Sequence, residues 1–143
     1  MRIRTASFGA AARDDPLSYP GRRPQRSFLF WGAEIEMVET RRAFDERLTE
    51  VGASAVEDRC AVLVVGSNAS PAQLASKLDP DLVPLPVVAV QASGVDAVYA
   101  SHLTRYGAVP AAAHFAPGAR LRTHVQLLDD AQLAAMDRSE GRN

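Results

Sequence analysis

The order of apolar and polar residues divides the chain into three parts. Residues 1–27 carry "DDP" and the Arg-rich "YPGRRPQR" with little periodic apolar content, and they read as a flexible leader. Residues 28–56 begin with "FLFWG", a short, aromatic and extended segment, and from Ala33 to Val51 the pattern turns helical. Met37, Phe44, Leu48 and Val51 are spaced by seven, four and three, charged residues fill the other faces, and Gly52 stands where a helix-ending glycine would. The pattern predicts an amphipathic helical extension whose stripe packs on the rest of the protein or forms a homodimer contact.

The third part, residues 57–143, changes period after Cys60. "AVLVV" (61–65) is continuous and β-branched, as in a strand covered on both faces. Ser70-Pro71 then reads as a helix start, with Ser at the N-cap and Pro in the first turn, and Leu74 and Leu78 share a face. Strand-like segments follow: "VVAVQA", "GVDAVYASH" and, around a Pro117-Gly118 turn, "AAAHF" and "ARLRTHVQLL". In the last, Leu121, Thr123, Val125 and Leu127 alternate with Arg122, His124 and Gln126, which predicts one buried face and one polar face. Asp129 or Asp130 caps a closing helix, "AQLAAMDRSE", before Gly141. Strands cluster rather than alternate with helices, so the fold class is α+β.

Composition narrows the function more than the fold. The 143 residues, 47% hydrophobic and 23% charged, suit one globular domain. A net charge of −1 gives no electrostatic case for nucleic acid or an anionic membrane, and no apolar run reaches the length needed to cross a bilayer. The N-terminus has no apolar stretch of a secretory signal, and the lone Cys60 fits a reducing cytoplasm. Of the 16 basic residues only Lys77 is not Arg, a bias read as one of coding.

Candidate chemistry centres on "VLVVGSNASPAQL" and on the end of the chain. Gly66, without a Cβ, lets the backbone approach a ligand, and Ser67 and Asn68 add side-chain donors and tolerate turn angles. Main-chain N–H groups in a turn that opens a helix can hold an anion or a polarised carbonyl; the plainer alternative is a turn whose side chains satisfy themselves. The turn lacks the flanking pattern of a nucleophile elbow, so Ser67 is a poor nucleophile, and it is neither a P-loop nor a dinucleotide fingerprint. Leu133, Met136, Asp137 and Glu140 share one helix face, which could turn Glu140 inward at the last helical turn, where desolvation and the helix dipole favour a protonated carboxyl. The alternative is an exposed Glu at a fraying end. His102, His114 and His124 have no metal-ligand spacing, which makes a zinc site improbable. Tyr99, Arg105 and Tyr106 could reach a substrate carboxylate, against the plainer reading of surface packing.

The quoted residues resemble the γ-glutamylcyclotransferase-like family. Three stretches carry the likeness: "VLVVGSNASPAQL"; "VVAVQASGVDAVYASH" with "GAVPAAAHFAPGARL"; and "LLDDAQLAAMDRSEG". Together they span about 60–141. Val65, Ala69, Thr123 and Met136 depart from the family's usual residues. The resemblance implies a small mixed β-barrel or sheet with flanking helices, incomplete at its C-terminus because the family's later strands find no counterpart before Asn143. It also implies intramolecular aminolysis of a γ-glutamyl amide or peptide to 5-oxoproline and a free amine, with no cofactor and no metal. In this sequence Gly66, Ser67, Asn68 and Ala69 match the substrate-binding loop, and Glu140 matches the catalytic acid/base. The alternatives are a non-catalytic or truncated relative that binds a small ligand, or a protein-interaction module built on residues 33–51.

Overall fold

Phe28, Leu29 and Phe30 are each fully buried, although alternate residues of a strand point to opposite faces. Only a strand covered on both sides can do this, and each such burial stabilises by about 1.5–3 kcal/mol. The structure, a computed structural model describing residues 1–141, supplies both covers. Six strands, β1 (Arg2–Arg4), β2 (Phe28–Phe30), β3 (Glu34–Met37), β4 (Cys60–Val64), β5 (Leu85–Tyr99) and β6 (Ala111–Leu128), pair in the order β1-β3-β2-β5-β6-β4. Three α-helices, α1 (Arg41–Glu50), α2 (Pro71–Lys77) and α3 (Asp130–Glu140), flank them. Leu74 of α2 and Met136 of α3 join Phe28, Phe30, Ile35 and Leu85 in one core, while Phe44 of α1 joins Leu29 and Val38 in another.

The class is α+β, as the patterning predicts. The sheet is antiparallel at every pairing rather than mixed, and it does not close into a barrel: β1 and β4 are its two edges.

Several local expectations change with pairing and packing. The stretch read as a flexible leader contributes β1, in register Arg2↔Glu36 to Arg4↔Glu34, and buries Ala11 and Ala12. Backbone ladders and small side chains hold it, neither of which leaves an apolar period in sequence. The helix expected over 33–51 starts only at Arg41, where the Thr40 side chain accepts the Ala43 N–H at 3.2 Å. Before it, Glu34-Ile35-Glu36-Met37 alternates with period two and forms β3. "AVLVV" lies in an edge strand rather than one covered on both faces, and Leu63 is exposed. Pro117-Gly118 is not a hairpin turn. Ser93 pairs with Arg120 and Val95 with Phe115, so residues 116–119 bulge opposite Gly94 within one long β5–β6 hairpin. Gly94 (φ 77°) and Gly118 (φ 81°) supply the left-handed angles there.

The polar side of β6 is also not solvent-facing near its end. His124 and Gln126 are buried, with His124 edge-on to Phe28 at 6.0 Å between ring centroids. Beyond β6, Asp129 and Gln132 form a capping box at the start of α3. The Gln132 amide also donates to the Leu82 and Pro84 carbonyls at 2.9 and 3.0 Å, and its oxygen accepts from Arg59 at 3.0 Å.

Gln132→Ala leaves these carbonyls and the buried guanidinium without that partner; it is expected to lower unfolding free energy by about 2–4 kcal/mol, read from urea melts. Burial is the main cause lowering the His124 pKa from 6.5, with Arg23 acting in the same direction. The unfolded ring therefore binds protons more readily than the folded one, and stability falls as pH drops below 6.5. Replacing the ring by His124→Leu should flatten this loss by up to about 1.4 kcal/mol per pH unit between pH 7 and 5, in denaturant midpoints followed across pH.

Candidate functional site

The turn quoted above forms because β4 ends at Val64, paired to His124 of β6, and the chain must then reverse into α2. Gly66 opens it, Ser67–Ala69 make one 3-10 turn, and Pro71 begins α2 with Ser70 at the N-cap. The buried Gln126 side chain donates to the Asn68 carbonyl at 2.8 Å and ties the turn to β6. Thr123 adds a hydroxyl donated to the Val64 carbonyl.

Glu140 lies against this turn. The Asn68 side-chain amide donates to Glu140 Oε1 at 2.9 Å, and Lys77 Nζ donates to the same oxygen at 2.7 Å. The Lys77 side chain is only 6% exposed, whereas that of Glu140 is 54% exposed. The inward, desolvated setting expected for Glu140 is therefore corrected. The face of α3 that packs inward carries Gln132, Ala135 and Met136, Asp137 is exposed, and Glu140 sits at the rim of that face.

A cavity of about 440 Å³ lies in front of the turn, lined by Gly66, Ser67, Asn68, Lys77 and Glu140 and, from the β5–β6 hairpin tip, by Tyr106. Ala69, expected in the same loop, is fully buried and outside the lining. His102 borders the cavity, whereas Tyr99 is exposed on the hairpin arm. No cluster of three or more His, Cys, Asp or Glu able to hold a metal is found among the described residues, and no helix among them is long and apolar enough to cross a membrane.

One wall comes from the N-terminal segment. The Tyr19 hydroxyl accepts the Ala111 N–H at 2.7 Å and lies so close to Gly66 that a Cβ there would sit 2.4 Å from it. Gly66 thus permits a close approach, as its sequence position suggests, but to a tyrosine of the same chain. Burial raises the Tyr19 pKa above 10, the Ala111 and Ser67 backbone oppose this, and Tyr106 and Glu140 reinforce it, so the phenol keeps its proton at neutral pH.

Sequence reasoning missed Tyr19 and Lys77. Tyr19 carries no sequence signal, sitting in a stretch without apolar period. Lys77 does carry one: it is the only lysine of a chain otherwise served by arginine. A compact ammonium gives a point charge where a planar guanidinium fork would need more room.

Among known proteins, no family model, no curated protein and no solved structure matches this chain.

Gly66→Ala is expected to cost about 1–3 kcal/mol in urea denaturation, because the new methyl overlaps a rigid, hydrogen-bonded phenol. In a Tyr19→Phe background, without the hydroxyl, that penalty should fall by more than half; an unchanged penalty would show that the contact is not what demands glycine.

Proposed function

We propose that the cavity takes a γ-glutamyl amide or peptide and converts it to 5-oxoproline and a free amine. The observation that carries this reading is the hydrogen bond between Glu140 and Asn68. The acid matched to the catalytic role and the turn matched to substrate binding are far apart in sequence yet share one cavity wall. A volume of about 440 Å³ is within the range of small-molecule sites.

The chemistry asks little of the protein, because the substrate carries its own nucleophile. Its α-amine attacks its γ-carbonyl carbon, a ring C–N bond forms, the bond to the leaving nitrogen breaks, and that nitrogen takes a proton. Holding the chain folded makes the attack unimolecular. Glu140 takes the proton from the attacking nitrogen and returns it to the leaving one. Lys77 and Asn68 orient the carboxylate for both transfers, and Lys77 supplies its countercharge in a partly shielded setting. Tyr19, which keeps its proton, is a donor within the same lining for the oxygen that becomes negative.

A second reading is favoured by one observation: the Tyr19 hydroxyl lies against Gly66, in the space a substrate oxygen would need. In that reading the cavity binds a small polar ligand without turning it over.

The test is incubation of the protein with a panel of γ-glutamyl amides and peptides, with 5-oxoproline quantified by chromatography. The expected result is product formation that falls by about 10²–10⁴ in Glu140→Gln while the circular dichroism spectrum is unchanged. Full activity in that variant removes Glu140 from the mechanism. Saturable 5-oxoproline binding without any turnover selects the second reading.

A further inference from the structure

The Arg-rich stretch "YPGRRPQR" finds its place against the β5–β6 ladder. Residues 23–27 run beside β5, where the Ser27 hydroxyl accepts the Ala89 N–H at 2.9 Å, and with the two strands they bound a cavity of about 250 Å³. This cavity shares no lining residue with the one in front of the turn. Its charged and amide-bearing lining is Arg23 and Gln25 from the N-terminal segment, Gln91 from β5 and Arg122 from β6, with the buried His124 beside them.

Strand register brings these side chains to one face of the sheet. Gln91 is the cross-strand partner of Arg122, so the two stand side by side, and His124, two residues further along β6, shares their face. Gln91 and Arg122 are exposed there, whereas Arg23 is half-buried. One Arg23 N–H donates to the Gly66 carbonyl over a long 3.5 Å, which leaves the rest of its five donors free to serve the cavity. After burial, the Arg23 charge is the next cause lowering the His124 pKa, so the guanidinium lies near that ring. The lining thus carries two positive charges and neither Asp nor Glu. Among the described residues no carboxylate lies within ion-pairing distance of Arg23 or Arg122, whereas Arg26 of the same stretch is paired with Glu39. Guanidiniums gathered in one concavity repel each other unless an anion relieves them.

We infer that this cavity is a phosphate-binding site, in which Arg122 and Arg23 hold the dianionic group of inorganic phosphate or of a small phosphate monoester, and the Gln91 and Gln25 amides donate to its remaining oxygens. Charge favours a dianion, one negative charge for each guanidinium. Shape favours a tetrahedral group: donors reach the cavity from the strand pair and from the segment beside it, whereas a carboxylate offers its lone pairs in one plane. The volume lies below the about 300–1,000 Å³ of sites for larger ligands, which suits a phosphate group rather than a cofactor. The inference is independent of the cyclotransferase reading, since it needs neither Glu140 nor turnover.

The experiment is an NMR titration at about pH 8, where phosphate is a dianion, with ionic strength held constant by sodium chloride. Inorganic phosphate is added while the arginine Nε–H and glutamine side-chain signals are followed. Saturable shifts of Arg122, Gln91 and Gln25 are expected. Arg122→Gln should weaken binding by about 10-fold or more, and Arg4→Gln, which removes the same charge from the exposed β1 edge, should leave it unchanged. Shifts that do not saturate, or equal shifts with acetate, mean an ion atmosphere only and overturn the site. Unchanged affinity in Arg122→Gln, or an equal loss in Arg4→Gln, overturns it as well. A second series separates the sources. Glycerol 3-phosphate binding more tightly than phosphate assigns the site to a monoester, and weaker binding assigns it to the inorganic ion. Equally tight binding of dimethyl phosphate, a monoanion, overturns the dianion match, and tighter binding of a single-stranded oligonucleotide than of either small phosphate overturns the site in favour of a nucleic-acid backbone.

Discussion

The site depends on how the start of α3 is clamped. Asp129 and Gln132 satisfy each other's backbone N–H groups, and the Gln132 amide is locked to the Leu82 and Pro84 carbonyls and to Arg59. Each of these bonds is worth only about 1 kcal/mol net, yet breaking any one leaves a buried polar group exposed to its desolvation cost. The clamp therefore fixes direction more than it adds stability. From Gln132 the helix runs about 12 Å to Glu140, so an angular error of about 5° at its start moves its end by roughly 1 Å, enough to weaken a hydrogen bond there. Ala135 and Met136, buried in the same core as Leu74 and Phe28, hold the middle of the lever.

The second constraint is steric. The turn after β4 is pinned from β6 by Gln126 and Thr123, and the N-terminal segment leans on it through Tyr19. That segment has few apolar residues, but it supplies Tyr19 to the chamber in front of the turn and Arg13 to a second, of about 590 Å³, that shares Lys77 and Tyr106 with it. It is held by backbone pairing of β1, by buried Ala11 and Ala12, and by single polar bonds, so its order comes from the rest of the fold rather than from its own composition. Gly66 is where the two constraints meet, since only a residue without Cβ lets the phenol come so near.

Electrostatics then separates the two chambers. In the first, one Glu140 oxygen accepts from both the ammonium of the single lysine and the neutral amide of Asn68. In the second, no carboxylate among the described residues lies within ion-pairing distance of Arg13, Arg105 or Arg138. Lys77 belongs to both walls, so charge bound in one chamber is felt in the other.

Much of this was legible in the residues themselves. The Ser70-Pro71 helix start, the Asp129 cap, the strand content of the segments between 87 and 128 (though not their joining into two long strands) and the α+β class follow from local chemistry: fixed φ at proline, side-chain acceptors for free N–H groups, and period-two alternation. Gly66, Ser67, Asn68 and Glu140 stood out as candidates, and three-dimensional packing brought Asn68 and Glu140 into contact. What sequence could not determine is which faces are covered. "AVLVV" has the composition of a central strand but pairs on one side only, while "FLF" is the strand buried on both faces. His124 and Gln126 read as solvent-facing because alternation gives two faces without saying what packs on each. Tyr19 and Arg13 were invisible for the same reason: their roles arise from contacts with residues more than fifty positions away, and long-range neighbours leave no periodic mark on the chain.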